Sequence, residues 1–172
     1  MISAMFKQVD IQAAMSNPIG QIGSDWMLVT SGSVSKFNMM TASWGAAGFM
    51  WNKPVVFVFI RTNRYTFEFM ENNPSFTVSF FNADKKKILS FCGSHSGRDV
   101  DKASACGLTA FQTPCGSVAF EESKLYFECR KMYAQQMQAS SFIDKEALDK
   151  WYSKDPMHKM YVAEILGAYS AH

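Results

Sequence analysis

The sequence predicts a mainly β protein, an antiparallel barrel decorated with a few short helices. Three observations carry that expectation. Short runs rich in Val, Phe, Thr and Tyr recur along the chain, and clusters of Gly, Pro, Asn and Ser separate them. The helical patterns between those runs are brief. Of the 172 residues, 48% are hydrophobic and 15% aromatic, with 15 phenylalanines, so a dense apolar interior is expected. A chain of this length forms one domain with a sizeable core. No internal repeat or low-complexity segment interrupts it.

The elements follow in order. Residues 1–20 read as a poorly patterned leader with a short helix around Ile11 to Met15, and residues 21–172 as the barrel with its helical insertions. Asn17-Pro18 and Gly20 mark a turn. Trp26 to Thr30 is the first barrel strand, and Ser31-Gly32-Ser33 a tight turn into the next, which ends in Asn38 to Trp44. Gly45 to Asn52 is a glycine-punctuated loop. Val55 to Ile60 is apolar throughout, as a buried strand requires, and Pro54 stands at its start, where a missing N–H does least harm. Thr62 or Asn63 is placed to cap a helix that Pro74 helps to end. Phe76, Val78 and Phe80 alternate with Thr77 and Ser79, giving a strand with one buried face. Asp84 is placed to cap a helix from Lys85 to Phe91, with Ile88, Leu89 and Phe91 as its apolar stripe. Lys85-Lys86-Lys87 reads as its solvated face. Asp101 leads into another short helix. Phe111 to Gly116 is a connection, Val118 to Phe120 a short strand, and Lys124 to Gln138 a long one with Leu125, Phe127, Cys129 and Met132 turned inward. Ala147 to Trp151 suggests a helix, and Met160 to Leu166 a final strand.

Two stretches stand out chemically. Lys36 to Gly45 is uncharged after its first residue yet not simply apolar. With period 2, Met39, Thr41 and Ser43 face one side and Asn38, Met40, Ala42 and Trp44 the other. Small hydroxyls beside thioethers and an indole suit a flat, polarizable ligand with polar edges. They suit equally a half-buried strand whose polar face meets water. The second stretch is Arg61-Thr62-Asn63-Arg64-Tyr65-Thr66, at the start of a helix. Two arginines and several hydroxyls around unpaired N–H groups make an anion site by charge, donors and dipole together. Plain solvent exposure of the arginines is the competing reading.

Other classes of function are disfavoured. The net charge is +2 with both signs scattered, and there is no basic tract of the kind a nucleic-acid surface requires. No uncharged run reads as a transmembrane helix, and Met1 to Lys7 lacks a charged segment followed by an apolar one, so a cytoplasmic location is expected. Cys92, Cys106, Cys115 and Cys129 contain no C-x-x-C pair and read as free thiols. His95, His158 and His172 are scattered, and no metal site is expected. Cys92 and His95 lack the third, orienting group that covalent catalysis needs. Ser94 to Asp99 reads as a turn and helix cap, although a Ser-Gly-Arg run also presents donors to an anion.

Asn38-Met39-Met40-Thr41-Ala42-Ser43-Trp44, then Trp51-x-Lys53-Pro54, then Ile60-Arg61-x-x-Arg64-Tyr65-Thr66 resemble the flavin reductase-like family of FMN-binding split β-barrels, and its flavoredoxin members in particular. Phe76 to Phe81, Cys92-Gly93-Ser94-x-Ser96-Gly97-Arg98-Asp99-x-Asp101-Lys102 and Gly107-Leu108-Thr109 follow in matching order, so the likeness spans about Trp26 to Cys129. The resemblance implies FMN held non-covalently, with its ring along Asn38 to Trp44 and backbone N–H groups around Thr41 to Ser43 donating to the ring. It implies a phosphate at Arg61, Arg64, Tyr65 and Thr66, with Ser96 and Lys102 as weaker ligands. Trp44 or Trp51 would stack on the ring, although core packing explains either tryptophan as well. The implied reaction is electron transfer from NADH or NADPH to flavin, or relay through bound FMN, in a homodimer with the flavin near the interface. No catalytic side chain is implied, since the flavin carries the redox chemistry. Two alternatives stand beside this: a non-catalytic FMN protein that stores, senses or relays, and a small barrel for another anionic ligand such as a pyridoxal phosphate-type compound.

Overall fold

The computed structural model describes residues 5–172. Ten strands are present: β1 (Phe6–Val9), β2 (Met27–Ser33), β3 (Lys36–Ala42), β4 (Gly45–Met50), β5 (Lys53–Arg61), β6 (Ser75–Phe80), β7 (Ala110–Gln112), β8 (Val118–Phe120), β9 (Leu125–Gln136) and β10 (His158–Ala171). The helices are α1 (Ile11–Ala14), α2 (Pro18–Gly20), α3 (Tyr65–Asn72), α4 (Lys86–Ser94), α5 (Lys102–Cys106) and α6 (Lys145–Tyr152).

The main sheet runs β3-β2-β6-β9-β10-β5-β4, antiparallel throughout, with β1 added to β10. Its two end strands, β3 and β4, are neighbours in the chain, joined only by Ser43 and Trp44. A sheet whose opposite edges are tied by two residues must roll up until those edges approach. No ladder joins them, so the barrel is split along a seam between β3 and β4. The interior is filled by Val29, Met40, Val58, Ile60, Phe80, Phe127, Tyr161 and their neighbours. A second apolar cluster, with Leu28, Met39, Leu89, Cys92 and Phe120, lies on the other face of β2 and β3, beneath α4. Burial of these side chains supplies the main driving force for the fold.

Several local expectations are corrected. Phe6–Val9 is no unpatterned leader, for it is a strand paired with β10, Val9 opposite Ala168. Trp26 stands before the strand with φ +72° rather than in it. Ser31-Gly32-Ser33 belongs to β2, and the turn is Val34-Ser35. Gly45 to Met50 is a strand, not a loop. Its Gly and Ala residues hide it from β-propensity, and pairing with the apolar β5 decides the matter. Trp51 and Asn52 form the connecting two-residue turn, with φ +51° and +59°, the left-handed geometry that matches strand twist. Arg64, not Thr62 or Asn63, is the N-cap residue of α3. Ala83–Lys85 is a 3₁₀ turn ahead of α4, so Asp84 caps nothing. Phe111 lies in β7, which pairs with β8. Met132 is exposed rather than turned inward, for it is out of phase with Leu125, Phe127 and Cys129 and the buried run of β9 ends at Cys129. A bulge near Leu166 breaks the alternation of β10, which runs on to Ala171.

Candidate functional site

As an edge strand, β3 leaves part of its backbone unpaired. The Met39 carbonyl accepts from Lys102 Nζ and so points away from β2. In an extended strand a residue's N–H and C=O point the same way and alternate residues point oppositely. Thr41 therefore turns its backbone groups to the same open edge. Along this edge lies a cleft in two joined compartments.

The outer compartment has a volume of about 280 Å³ and is lined by Asn38, Met40, Arg61, Arg64, Tyr65, Thr66, Ser96 and Lys102. Helix α3 opens into it with no capping side chain, so the first-turn N–H groups of Tyr65 and Thr66 stand at the positive end of the helix without one. The buried Thr66 Oγ1 accepts from Asn38 Nδ2 at 2.8 Å, which leaves its own hydroxyl hydrogen to donate. Two cations reach the C-terminal carbonyls of α4. Arg64 Nη1 donates to Gly93 O at 3.1 Å, and Lys102 Nζ to Cys92 O at 3.1 Å. That placement matches the negative end of the helix dipole. Lys102 also donates to Met39 O and, at 3.3 Å, to His95 O, so its ammonium ties β3 to α4. Burial pulls its pKa below the ordinary lysine value. Arg61 pairs with Asp155 at 3.1 Å and donates to Trp151 O at 3.1 Å, clamping the segment after α6. The Ser96 hydroxyl accepts from Arg98 N at 3.2 Å. At Gly97 a Cβ would stand 2.0 Å from Asn38 Oδ1 and 3.2 Å from Tyr65 Cδ1, so that wall of the cleft is bare backbone pressed onto β3 and α3.

The inner compartment, about 170 Å³, is lined by Met40 to Trp44, Phe59, Trp151 and His158, with Arg61 and Arg64 shared between the two. Thr41 Oγ1 donates to Leu89 O at 2.5 Å, which spends the hydroxyl on α4 and leaves the backbone edge free. Trp44 meets Trp151 edge to face with centroids 4.9 Å apart, and His158 at 5.3 Å. His158 Nδ1 lies 2.8 Å from Tyr152 Oη. Burial, helped by the Arg61 and Arg64 charges and opposed by Asp155, lowers the His158 pKa to about 4.

Of the residues expected at the site, twelve line these compartments, and two do not. The Met39 side chain packs into the second apolar cluster. Trp51 stands at the tip of the β4–β5 hairpin, half exposed, with its ring 6.5 Å from Tyr133 and apart from the cleft of its own chain. Sequence reasoning missed Phe59, Trp151, Asp155, His158 and Asn63. Only the strand register, which sets His158 opposite Arg61, brings the late residues here, and no local pattern announces it.

One end of the cleft thus offers cationic and backbone donors, the other a strand edge between aromatic rings. The residues present fit a phosphate-tailed planar ring. The comparisons agree. Residues 19–170 match the family described as flavin reductase like domain, and the chain belongs to that family. This defines a split-barrel protein of a flavin-binding, flavin oxidoreductase family. Among solved structures, the flavoredoxin of Methanosarcina acetivorans is 26% identical, covers 86% of this chain and 69% of its own, and superposes with a TM-score of 0.67. The FMN-binding domain of a flavin reductases-like enzyme from Shewanella baltica OS155 shares 19% identity and the fold, with a TM-score of 0.69 over 96% of this chain and 77% of that one. The Streptomyces globisporus NADH:FAD oxidoreductase shares the fold at 16% identity and a TM-score of 0.64, over 94% and 85%. A comparison with curated proteins finds no match.

Proposed function

We propose that the protein is an FMN-dependent oxidoreductase of the flavin reductase or flavoredoxin type, taking electrons from NADH or NADPH. The observation that carries this reading is the two-part cleft, with donors for a phosphate at α3 and a free strand edge between aromatic residues beyond it. Bound flavin supplies the two-electron chemistry, and the protein supplies position and electronics.

In this reading the N–H groups of Tyr65 and Thr66, the Thr66 hydroxyl and the Arg64 guanidinium hold the phosphate. Arg61 and Ser96 add donors at the rim. Lys102, already bonded to three carbonyls, acts as a fixed positive charge that keeps β3 in place rather than as a free ligand. Asn38 sets the Thr66 side chain, and Met40 and Ala42 floor the cleft. The open edge at Thr41 and Ser43 donates to ring acceptors, and Trp44 packs beside the ring. Donors aimed where the reduced ring gathers negative charge favour reduction.

We assign the chain as one domain acting as a homodimer. The exposed hairpin with Phe49, Met50 and Trp51 supports a contact with a second copy, and in such a dimer Trp51 is our candidate for a contact with the partner's flavin. Among the described residues no helix is long and apolar enough to cross a membrane, and a cytoplasmic location fits the expected donor.

The test is the visible spectrum of the purified protein, followed by NADH and then NADPH without oxygen. Yellow bands that bleach are expected. Bands that persist with both nucleotides would favour storage, sensing or relay, and a protein that stays colourless with added FMN would remove the flavin from this site.

A further inference from the structure

We infer that His158 is the side chain that hydrogen-bonds the ring end of the bound flavin, donating from Nε2 while Tyr152 holds Nδ1. The inference rests on the flavin reading of the cleft. His158 is the first residue of β10, set opposite Arg61 at the end of β5, and its side chain turns into the inner compartment. His158 is only 7% exposed. It is held on two sides, by Trp44 at 5.3 Å and by Tyr152 ring edge to face at 5.6 Å. Nδ1 is engaged with Tyr152 Oη. Nε2 has no protein partner among the described residues, and the space in front of it is the cleft.

The tautomer follows from the surroundings. Charged and titratable groups face the ring from three elements: Arg61 at the end of β5, Arg64 at the start of α3, and Asp155 and Tyr152 from α6 and the segment after it. Burial, with two arginines against one aspartate, disfavours an imidazolium, so the ring is neutral and carries one proton. A phenol is a better donor than acceptor towards an imidazole nitrogen. The other acceptor contact of Tyr152 Oη, Met137 Sδ at 3.8 Å, is long and weak, so Tyr152 donates to Nδ1 and the proton resides on Nε2. The Arg61 guanidinium, 5.4 Å from the Tyr152 ring centroid, holds that phenol in place. A fixed neutral donor in an apolar compartment stabilises an acceptor more as that acceptor gains negative charge. His158 thus raises the reduction potential of the bound flavin, and Tyr152 is its positioning residue.

Two variants separate this from a purely structural role. The amide of His158→Asn reaches the place of Nδ1 and keeps Tyr152 but loses the cleft donor. The amide of His158→Gln reaches the place of Nε2 and keeps the donor. In FMN-loaded protein, His158→Asn is expected to shift the oxidised-to-reduced equilibrium about tenfold towards the oxidised form, ~30 mV for a two-electron couple, while His158→Gln stays within about threefold of the parent. Tyr152→Phe should move the potential in the same direction by less. Equal potentials in the parent and His158→Asn proteins would overturn the inference. Should His158→Asn fail to fold, ¹⁵N-imidazole NMR of the parent protein decides. A protonated Nε2 whose shift moves on FMN addition supports the assignment, and a protonated Nδ1 or an unmoved signal overturns it. Absence of FMN binding to the parent protein would instead sink the flavin reading itself.

Discussion

The two ends of the cleft are built in opposite ways. The donor end draws most of its proposed phosphate donors from one short run, Arg61 to Thr66, where a strand hands over to a helix and bare backbone N–H groups become available. The aromatic end draws on β3, β5, α6 and the first residue of β10, and no two of its main side chains, Trp44, Phe59, Trp151 and His158, are within five residues of each other. One end is a local consequence of sequence. The other exists only when the barrel has closed. Lys102 lines the donor end and ties β3, the strand that runs along both ends, to α4. Lys102→Met leaves buried carbonyls at Met39, Cys92 and His95 without their shared donor. A loss of about 2–4 kcal/mol in stability is expected from urea unfolding. A loss below about 1 kcal/mol would mean that β3 holds its place without the ammonium.

The aromatic end also carries a titration of its own, in mild acid. The folded His158 pKa is about 4 against an ordinary 6.5. Between those values the unfolded chain binds a proton that the folded one refuses. The His158 contribution is therefore present above pH 6.5 and disappears as the pH falls towards 4, by up to about 3 kcal/mol. Carboxylates such as Glu164, held low by hydrogen bonds from Lys53 and Arg130, lose stability in acid as well. The difference between parent and His158→Gln across this range isolates the histidine. Parallel stability curves would mean that the imidazole is hydrated in the folded state.

Arg64→Ala acts on the donor end. FMN affinity should fall by roughly 1–3 kcal/mol, the size of a lost charge-assisted hydrogen bond, in a titration of apoprotein. Unchanged affinity would take Arg64 out of the phosphate site and leave it as a cap on the Gly93 carbonyl alone.

What could be read from the sequence follows the same division. The apolar runs of β5, β6 and β9 show their faces by alternation, and the helix-start arginines announce themselves by contiguity. β4 could not be read, because Gly45 to Gly48 have no strand propensity and only the β5 register makes them a strand. Met132 was open to the alternation rule, since alternation from Leu125, Phe127 and Cys129 puts it on the opposite face, and it is exposed. His158 looked like one of three scattered histidines, since its place beside Arg61 is set by the pairing of strands nearly a hundred residues apart. Trp51 has the opposite history. Its aromatic character suggests a ring contact, and a two-residue turn with positive φ carries it to a hairpin tip, away from the cleft of its own chain.

The smallest expected effect separates the two ends most cleanly. Trp151 closes the aromatic compartment by packing its edge against Trp44, and it touches none of the proposed phosphate donors except through its own carbonyl, which Arg61 holds. Trp151→Ala keeps that carbonyl and removes only the ring. Flavin affinity should weaken by about 0.5–1.5 kcal/mol, the worth of an aromatic pair beyond its buried area. The loss should be the same for FMN as for riboflavin, which lacks the phosphate. Arg64→Ala, by contrast, should weaken FMN and leave riboflavin nearly unchanged. Because the two side chains share no direct contact, the double variant should lose the sum of the two to within about 0.5 kcal/mol. A larger departure from additivity would show that Arg61, which reaches Trp151 and Asp155 from the strand leading to Arg64, couples the ends, so that the cleft acts as one unit rather than as a local anion site joined to a tertiary one.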